Sequence, residues 1–379
     1  MTTSPKTRPA THPVPPSGRS RHQFRGVLAS TGGLALITLL AVGGCDRQEL
    51  EEQKNDTALS FRPSSFGSTL RSMAVAAQTA YKACTRQPED QEPPQTLTVN
   101  GLEHHLAQRF SGLGSGSRVV VYEAGACSGS SIVVAFRGTA LPDANDLKCD
   151  LLGALQATEN PDNPWSSTEE GGTEVPNPWA AGSNQALVGR GFYDRVQSYM
   201  TSSEGKALRD HLDEYANNAN VDVHVVGHSL GAISSAIFSQ FLAQYAKAGN
   251  WDQSKWRQYN FTFNSPLGMN EEFRDNEDHG FYGLAKQGWF TPFGFTVAGD
   301  PISETNCNDW VSTYDGAPSF ESVSGASYSP FAQLTLDNAT PMAKHRLAPN
   351  IPAWAALGEG QSDMGGAYDP LYSGSCPDE

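Results

Sequence analysis

Gly227-His228-Ser229-Leu230-Gly231 sets a serine between two glycines in the spacing G-x-S-x-G. A serine hydroxyl is a weak nucleophile alone. It becomes a useful one when a histidine takes its proton and a carboxylate orients that histidine. The surroundings of the five residues decide whether such chemistry follows. Residues 223–226 are an apolar, β-branched run, and from Ala232 onward apolar residues recur with helical spacing. Ser229 is therefore expected at a strand-to-helix turn, where a tight bend lifts the hydroxyl clear of a sheet. The flanking glycines leave room for close backbone approach. The helix that follows points its N-terminus at the reacting centre and favours developing negative charge.

A serine at such a turn resembles the nucleophile of α/β hydrolases, and that resemblance implies partners downstream in the chain order serine, acid, histidine. Two histidines follow Ser229, namely His279 and His345. His279 lies in a polar, charged stretch that reads as a solvated loop, and the nearby Asp252, Asp275 and Asp278 follow no buried strand. Asp300 does: "GFTVAGDP" puts it just past an apolar strand, where active-site residues of open α/β sheets collect. His345 is the one histidine left after Asp300. The expected constellation is Ser229, Asp300 and His345. Taken singly, His345 also reads as an exposed histidine between Lys344 and Arg346, and Asp300 as a turn residue before Pro301. The pair of coincidences is the weaker account.

The elements that would position these residues alternate along the chain. Residues 66–84 have helical spacing and good helix formers. Residues 117–124 and 130–138 read as neighbouring strands. Residues 191–200 and 207–216 read as one long helix or a broken pair. "VDVHVVG" is a strand, and the helix after the serine is expected to stop at Gly249. "RQYNFTFNSP" and "FGFTVAGDP" read as two more buried strands. This alternation implies an α/β fold with a mostly parallel central sheet flanked by helices. The stretch from about Leu357 to the end is rich in Gly, Ser and Asp and reads as a loose tail.

Charge narrows the function. The chain has 379 residues, with 26 Lys and Arg against 41 Asp and Glu. The first 44 residues hold Lys6, Arg8, Arg19, Arg21 and Arg25 and no acid, so the remainder is more acidic still. Such a body lacks the basic face that nucleic acid requires, and lacks a broad electrostatic hold on anionic membranes.

The first residues read as an address. Arg19, Arg21 and Arg25 precede the apolar run "VLASTGGLALITLLAV", which ends in "VGGC". The run is short for a spanning helix and ends in small residues, as in a secretory signal. The ending resembles a bacterial lipoprotein signal in which Cys45 becomes the lipidated first residue; the other reading is an ordinary secretory signal cleaved near a chance Cys, which leaves a secreted chain. Residues 1–44 are then the signal and 45–65 a solvated tether to a domain at 66–356. An acyl chain contributes about 0.8 kcal/mol per buried methylene, enough in pairs to hold a soluble domain on an extracytoplasmic membrane face. Five cysteines remain, Cys84, Cys127, Cys149, Cys307 and Cys376. An exported chain would use them in up to two disulfides, leaving one thiol. No clustered Cys/His spacing suggests zinc. His104 and His105 are adjacent, so their side chains diverge, and they read as a surface pair.

Five motifs in order, "IVVAFRGT", "VGRGFYD", "VHVVGHSLGA", "FTFNSPLGMN" and "VAGDPIS", resemble class 3 lipases, the fungal-lipase-like branch of the α/β hydrolases. The likeness covers roughly residues 66–354. It implies Ser229 as nucleophile, Asp300 as the acid, His345 as the base, and an oxyanion hole from the backbone N–H groups of Thr139 and Leu230. It also implies a lid in the segment at about 140–187. Asp150 and Leu151 resemble an element of that region, and Leu155, Trp165 and Trp179 are either lid contacts or loop residues packed on the body. Two departures concern single positions: Gly189 where the family usually has His, and Gly299 before Asp300 where it usually has Asn.

The resemblance makes the leading expectation a serine hydrolase of carboxylic esters in lipids, working through an acyl-enzyme with no metal or cofactor. A phospholipase A1 or a short-chain esterase would use the same residues. A non-catalytic surface lipoprotein would keep the fold without needing all three, and a peptidase is a more distant use of the same triad.

Overall fold

Why the serine stands where it does is a matter of the sheet beneath it. The computed structural model describes residues 65–81, 93–112, 118–126, 129–138, 157–159, 162–165, 186–303, 311, 313–314, 317–321 and 327–372. Cys45, Thr139, the other five cysteines, Asp150, Leu151, Leu155 and Trp179 lie outside these residues.

Helix α1 (Phe66–Thr79) opens with Ser65 as its cap, and four strands follow: β1 (Thr96–Val99), β2 (Leu102–Ser111), β3 (Arg118–Ala126) and β4 (Gly129–Phe136). A small pair, β5 (Ala157–Glu159) and β6 (Leu187–Gly189), precedes helices α2 (Arg190–Met200) and α3 (Ser203–Tyr215). The centre is β7 (Asn220–His228), α4 (Leu230–Ala248), β8 (Trp256–Phe263), α5 (Glu271–Asp275), α6 (Phe281–Lys286) and β9 (Thr291–Val297). Then come β10 (Phe320–Glu321), β11 (Ser327–Tyr328), β12 (Phe331–Leu334), α7 (Pro341–His345), α8 (Ile351–Glu359) and α9 (Ser362–Ala367). Among the described residues, eight strands make one sheet in the order β1-β2-β3-β4-β7-β8-β9-β12. β1 to β4 pair antiparallel, and β4, β7, β8, β9 and β12 pair parallel.

The parallel strands β4, β7, β8 and β9 are buried on both faces, which is why they read as near-continuous apolar runs. β4 is buried along its whole length, and β7 from Val221 onward. Two polar side chains of β7 meet the last described stretch of the chain. The Asp222 carboxylate accepts the Leu371 and Tyr372 N–H groups at 3.0 and 2.6 Å. His224 Nε2 lies 2.8 Å from the Tyr368 hydroxyl. These contacts correct one expectation. Residues 357–372 are no loose tail: α8, α9 and the strap that follows them pack down, with Trp354, Met364 and Ala367 buried. The apolar anchors are few and spaced, so composition hid them.

α4 is buried all round from Leu230 to Ala246, as a central helix must be when the sheet covers one side and other elements the rest. One cover is the fragment 162–165. Trp165 is buried edge-on against Phe238 and Tyr245, each 5.6 Å between ring centroids, and its indole N–H donates to the Met200 carbonyl at 2.9 Å. Asn163 donates to the Phe241 carbonyl at 2.7 Å. Of the two readings for Trp165, packing on the body is the one realised. No described helix is long and apolar enough to cross a membrane.

Candidate active site

The parallel ladder fixes where the site forms. In register, Phe136 pairs with Gly227, His228 with Phe263, and Val297 with Leu334, so these strands end along one edge of the sheet. β7 ends at His228 and α4 begins at Leu230, which leaves Ser229 alone to make the bend. It does so at φ 57 and ψ −131. A non-glycine residue held there stores about 1–3 kcal/mol of strain. Two contacts keep it: Ser229 N–H donates to the Phe263 carbonyl at 2.9 Å, and its own carbonyl accepts Ala232 N–H at 2.8 Å. The motif glycines are steric necessities. A Cβ on Gly227 would fall 2.1 Å from the Gly231 carbonyl oxygen, and one on Gly231 would fall 2.2 Å from that of Phe136. Leu230 is the first residue of α4, so its N–H has no acceptor one turn earlier in the helix. Thr139, the other expected oxyanion donor, lies outside the described residues; Gly138 before it is buried.

Three residues distant in sequence converge on this bend. His345 Nε2 is 2.9 Å from Ser229 Oγ, and His345 Nδ1 is 3.0 Å from both Asp300 oxygens. A carboxylate accepts, so Nδ1 carries the proton, and Nε2 is left to accept from the serine. Asp300 is fully buried, Ser229 is 5% exposed and His345 7%. Burial pushes the Asp300 carboxyl up, but hydrogen bonds from His345, the Ile302 N–H (3.0 Å) and the Ser303 hydroxyl (2.8 Å) outweigh it and hold the group below its ordinary value. Gly299 before it sits at φ 75, a left-handed conformation that Gly adopts freely and Asn tolerates. That is the physical sense of Gly standing where the resembling family has Asn.

Residues 133–305 match the lipase (class 3) family. The class 3 lipase match takes in β4, the serine bend and Asp300, and it stops short of His345. The chain superposes partly on solved fungal enzymes. With the Lip2 lipase of Yarrowia lipolytica it shares 15% identity over 73% of this chain and 81% of the other, at a TM-score of 0.44. With the lipase of Rhizopus microsporus var. chinensis the identity is 15% over 73% and 75%, at 0.41. With a triacylglycerol lipase from Penicillium expansum it is 16% over 65% and 76%, at 0.41. No curated protein matches the chain. The fold is that of an α/β hydrolase, with a mostly parallel central sheet flanked by helices.

Three further side chains hold the histidine loop, and sequence reasoning did not find them. α7 ends at His345, and the last carbonyls of a helix have no partner within it. Asn264 Nδ2 donates to the Lys344 and His345 carbonyls at 3.1 and 3.2 Å. Asn350 donates to those of Ala343, Lys344 and Arg346, the last at 2.6 Å. His228 Nε2 lies 2.6 Å from the His345 carbonyl oxygen. Asn264 has φ 49, and its Oδ1 accepts Val297 N–H at 3.0 Å, so it also joins the ends of β8 and β9. The one available signal was an Asn directly after an apolar strand and before Ser-Pro.

Other histidines fall elsewhere. His279 is half-buried, and its carbonyl accepts from Gln240 at 2.9 Å and Gln244 at 3.3 Å on the flank of α4. The pair His104 and His105 is not a surface pair. On β2 the two side chains do diverge, and His105 is exposed, but His104 is fully buried, its Nε2 3.0 Å from Ser131 Oγ. Among the described residues no cluster of three His, Cys, Asp or Glu could hold a metal ion.

Proposed function

We propose that this chain is a serine hydrolase of carboxylic esters in lipids, with Ser229 as nucleophile, His345 as base and Asp300 as orienting acid. One observation carries the reading: a strained serine between strand and helix has its hydroxyl 2.9 Å from a histidine whose other nitrogen meets a buried carboxylate. The match to the lipase (class 3) family supports lipid esters as the substrate class.

In the reaction Ser229 Oγ attacks the ester carbonyl while its proton passes to His345 Nε2. Asp300 stabilises the resulting imidazolium. The carbonyl oxygen takes the negative charge, and Leu230 N–H, at the start of α4, is assigned as one donor to it. Thr139 is assigned the second donor by resemblance, and one such donor contributes about 3 kcal/mol. The tetrahedral adduct collapses, the C–O bond to the alcohol breaks, and His345 returns its proton to the leaving alkoxide. Water then attacks the acyl-serine, giving a proton to His345; the bond to Ser229 Oγ breaks, His345 returns that proton to Oγ, and the free acid leaves.

Acylation at Cys45 completes the proposal, with the domain held at an extracytoplasmic membrane face beside its substrate. The leader pattern supports it. Metabolic labelling with a radioactive fatty acid would mark the wild type and spare Cys45→Ser.

The deciding experiment compares wild type and Ser229→Ala on p-nitrophenyl esters of rising chain length, triacylglycerol emulsion and phosphatidylcholine vesicles. Fluorophosphonate labelling runs in parallel. Serine-dependent hydrolysis of emulsion supports the lipase. Preference for vesicles or for short soluble esters would reassign the enzyme as a phospholipase A1 or an esterase. A folded wild type that neither hydrolyses nor labels would leave a non-catalytic surface lipoprotein.

A further inference from the structure

The residue between the glycine and the nucleophile is itself a histidine, and the triad does not use it. His228 is buried at the end of β7. Its Nε2 is 2.6 Å from the His345 carbonyl oxygen, which can only accept, so Nε2 carries the proton. Its Nδ1 is 2.7 Å from the Tyr81 hydroxyl. With Nε2 as donor, Nδ1 of the neutral ring is an acceptor, and Tyr81 donates to it. Both nitrogens are thus occupied in one tautomer. The Tyr81 oxygen is wedged tightly: a Cβ on Gly138 would fall 1.8 Å from it. One hydroxyl therefore touches the end of β4 and, through His228, the carbonyl of the histidine opposite Ser229.

We propose that His228 is a positioning residue for His345: fixed as the Nε2–H tautomer by Tyr81, it holds the His345 carbonyl and so sets the reach of that imidazole toward Ser229. The inference rests on the reading of Ser229 and His345 as nucleophile and base.

Two physical points support it. α7 is a short helix on the chain, and His345 is its last residue. A ring carried there is only as well placed as its backbone, and a misplacement of about 1 Å costs roughly 100-fold in rate. Second, the two imidazoles lie 4.9 Å apart between centroids. His345 becomes cationic in the reaction, so a neighbour that also took a proton would oppose the step. The groups facing His228 are Tyr81, His345 and, behind His345, Asp300. Burial foremost, then the proximity of His345, pushes His228 down to about 3, so it stays neutral.

The test uses the full chain. His228→Gln keeps an N–H close to the Nε2 position; His228→Leu fills the space without one. The expected result is kcat for Gln within about 10-fold of wild type, the value of a typical hydrogen bond, and a fall of about 100-fold for Leu with KM little changed. Equal activities for the Gln and Leu variants would overturn the proposal and leave His228 as packing. A second arm does not depend on turnover. Nitrogen-15 NMR of the histidine rings should show His228 protonated on Nε2 alone from pH 8 to 5, with Tyr81→Phe mixing the tautomers. An Nδ1–H tautomer or a cationic ring in the wild type would also overturn it, and this arm decides if His228→Leu fails to fold. A wild type with the expected tautomer but no hydrolysis and no fluorophosphonate labelling would sink the function while leaving the hydrogen bond intact.

Discussion

Among the described residues, two buried serine–histidine pairs have nearly equal distances. Ser229 Oγ is 2.9 Å from His345 Nε2, and Ser131 Oγ is 3.0 Å from His104 Nε2. Everything that distinguishes them lies one step further out. His345 turns its other nitrogen to the Asp300 carboxylate at 3.0 Å; His104 turns its own to the Leu102 carbonyl at 3.1 Å. A carboxylate stabilises an imidazolium and a neutral carbonyl does so weakly, and burial pushes His104 down to about 4. Ser229 stands on a strained bend at a helix N-terminus, whereas Ser131 lies within β4, paired on both sides. A short Ser–His distance is thus a packing solution at one end of the sheet and a chemical one at the other. The third group, the bend and the helix make the difference.

The sharpest way to break this comparison is to remove each serine. Ser229→Ala should lower kcat by on the order of 10⁵ or more, since the hydroxyl and its base act as a unit. Its fold, read by circular dichroism and melting, should persist, because Ala keeps the Cβ and both backbone hydrogen bonds of residue 229. If Ser131→Ala abolished turnover while Ser229→Ala retained it, the two roles would be reversed.

Asp300→Asn comes next. It keeps the shape but offers the histidine the wrong partner, favouring the inactive tautomer, and kcat should fall by about 10⁴. The depressed Asp300 carboxyl also has a stability consequence. A group whose folded value lies below its unfolded one contributes stability above the unfolded value and loses it as pH falls through the folded one. Wild type should therefore lose stability below about pH 4, and Asp300→Asn should lose less over the same range in urea titrations. Parallel curves for the two proteins would mean that the buried carboxylate is not held by His345, Ile302 and Ser303.

How much of this was legible beforehand follows from the range of the contacts. The serine bend was readable because a β-branched run, two glycines and a helical period adjoin in sequence. Asp300 and His345 followed from chain order. The antiparallel hairpin β1–β2 was not, because Glu103, His105, Gln108 and Arg109 dominate a strand of which only His104 and Phe110 are buried. The same mask hid His104. Asn264, Asn350 and His228 act through backbone carbonyls, and two of the three do so across 80 or more residues. A side chain that recognises a distant carbonyl leaves no periodicity. The strap at Tyr368–Tyr372 escaped for a related reason: its partner is the Asp222 carboxylate, and its own composition reads as turn.

Ser131→Ala should leave kcat within about twofold and cost about 1–3 kcal/mol, because His104 Nε2 would be left buried without its partner. Double mutation with His104→Leu should recover part of that loss by removing the orphaned nitrogen. Additive losses would mean that the pair is not coupled.

The smallest effect sits beside that structural pair, at the half-buried contact of His211 Nε2 with Glu123 Oε1, 2.6 Å apart, where Ser130 also donates to the same oxygen at 2.8 Å. The hydrogen bond that His211 donates to Glu123 raises His211. Burial works against the Glu123 anion, but His211 and Ser130 outweigh it and lower the carboxyl. The carboxyl's contribution is present above its unfolded value and lost as pH falls; the histidine's is present below its unfolded value and lost as pH rises through its folded one. Both are in force together between about pH 4.3 and 6.5. Glu123→Gln should thus cost up to about 1 kcal/mol near pH 5.5, and less at pH 9, with catalysis unchanged at either. Urea midpoints at the two values measure it. A cost that is the same at pH 5.5 and pH 9 would mean that shape rather than charge joins α3 to β3. The contrast between the two ends of the sheet would then extend to charge as well, with Asp300 and His345 the pair in which ionisation matters.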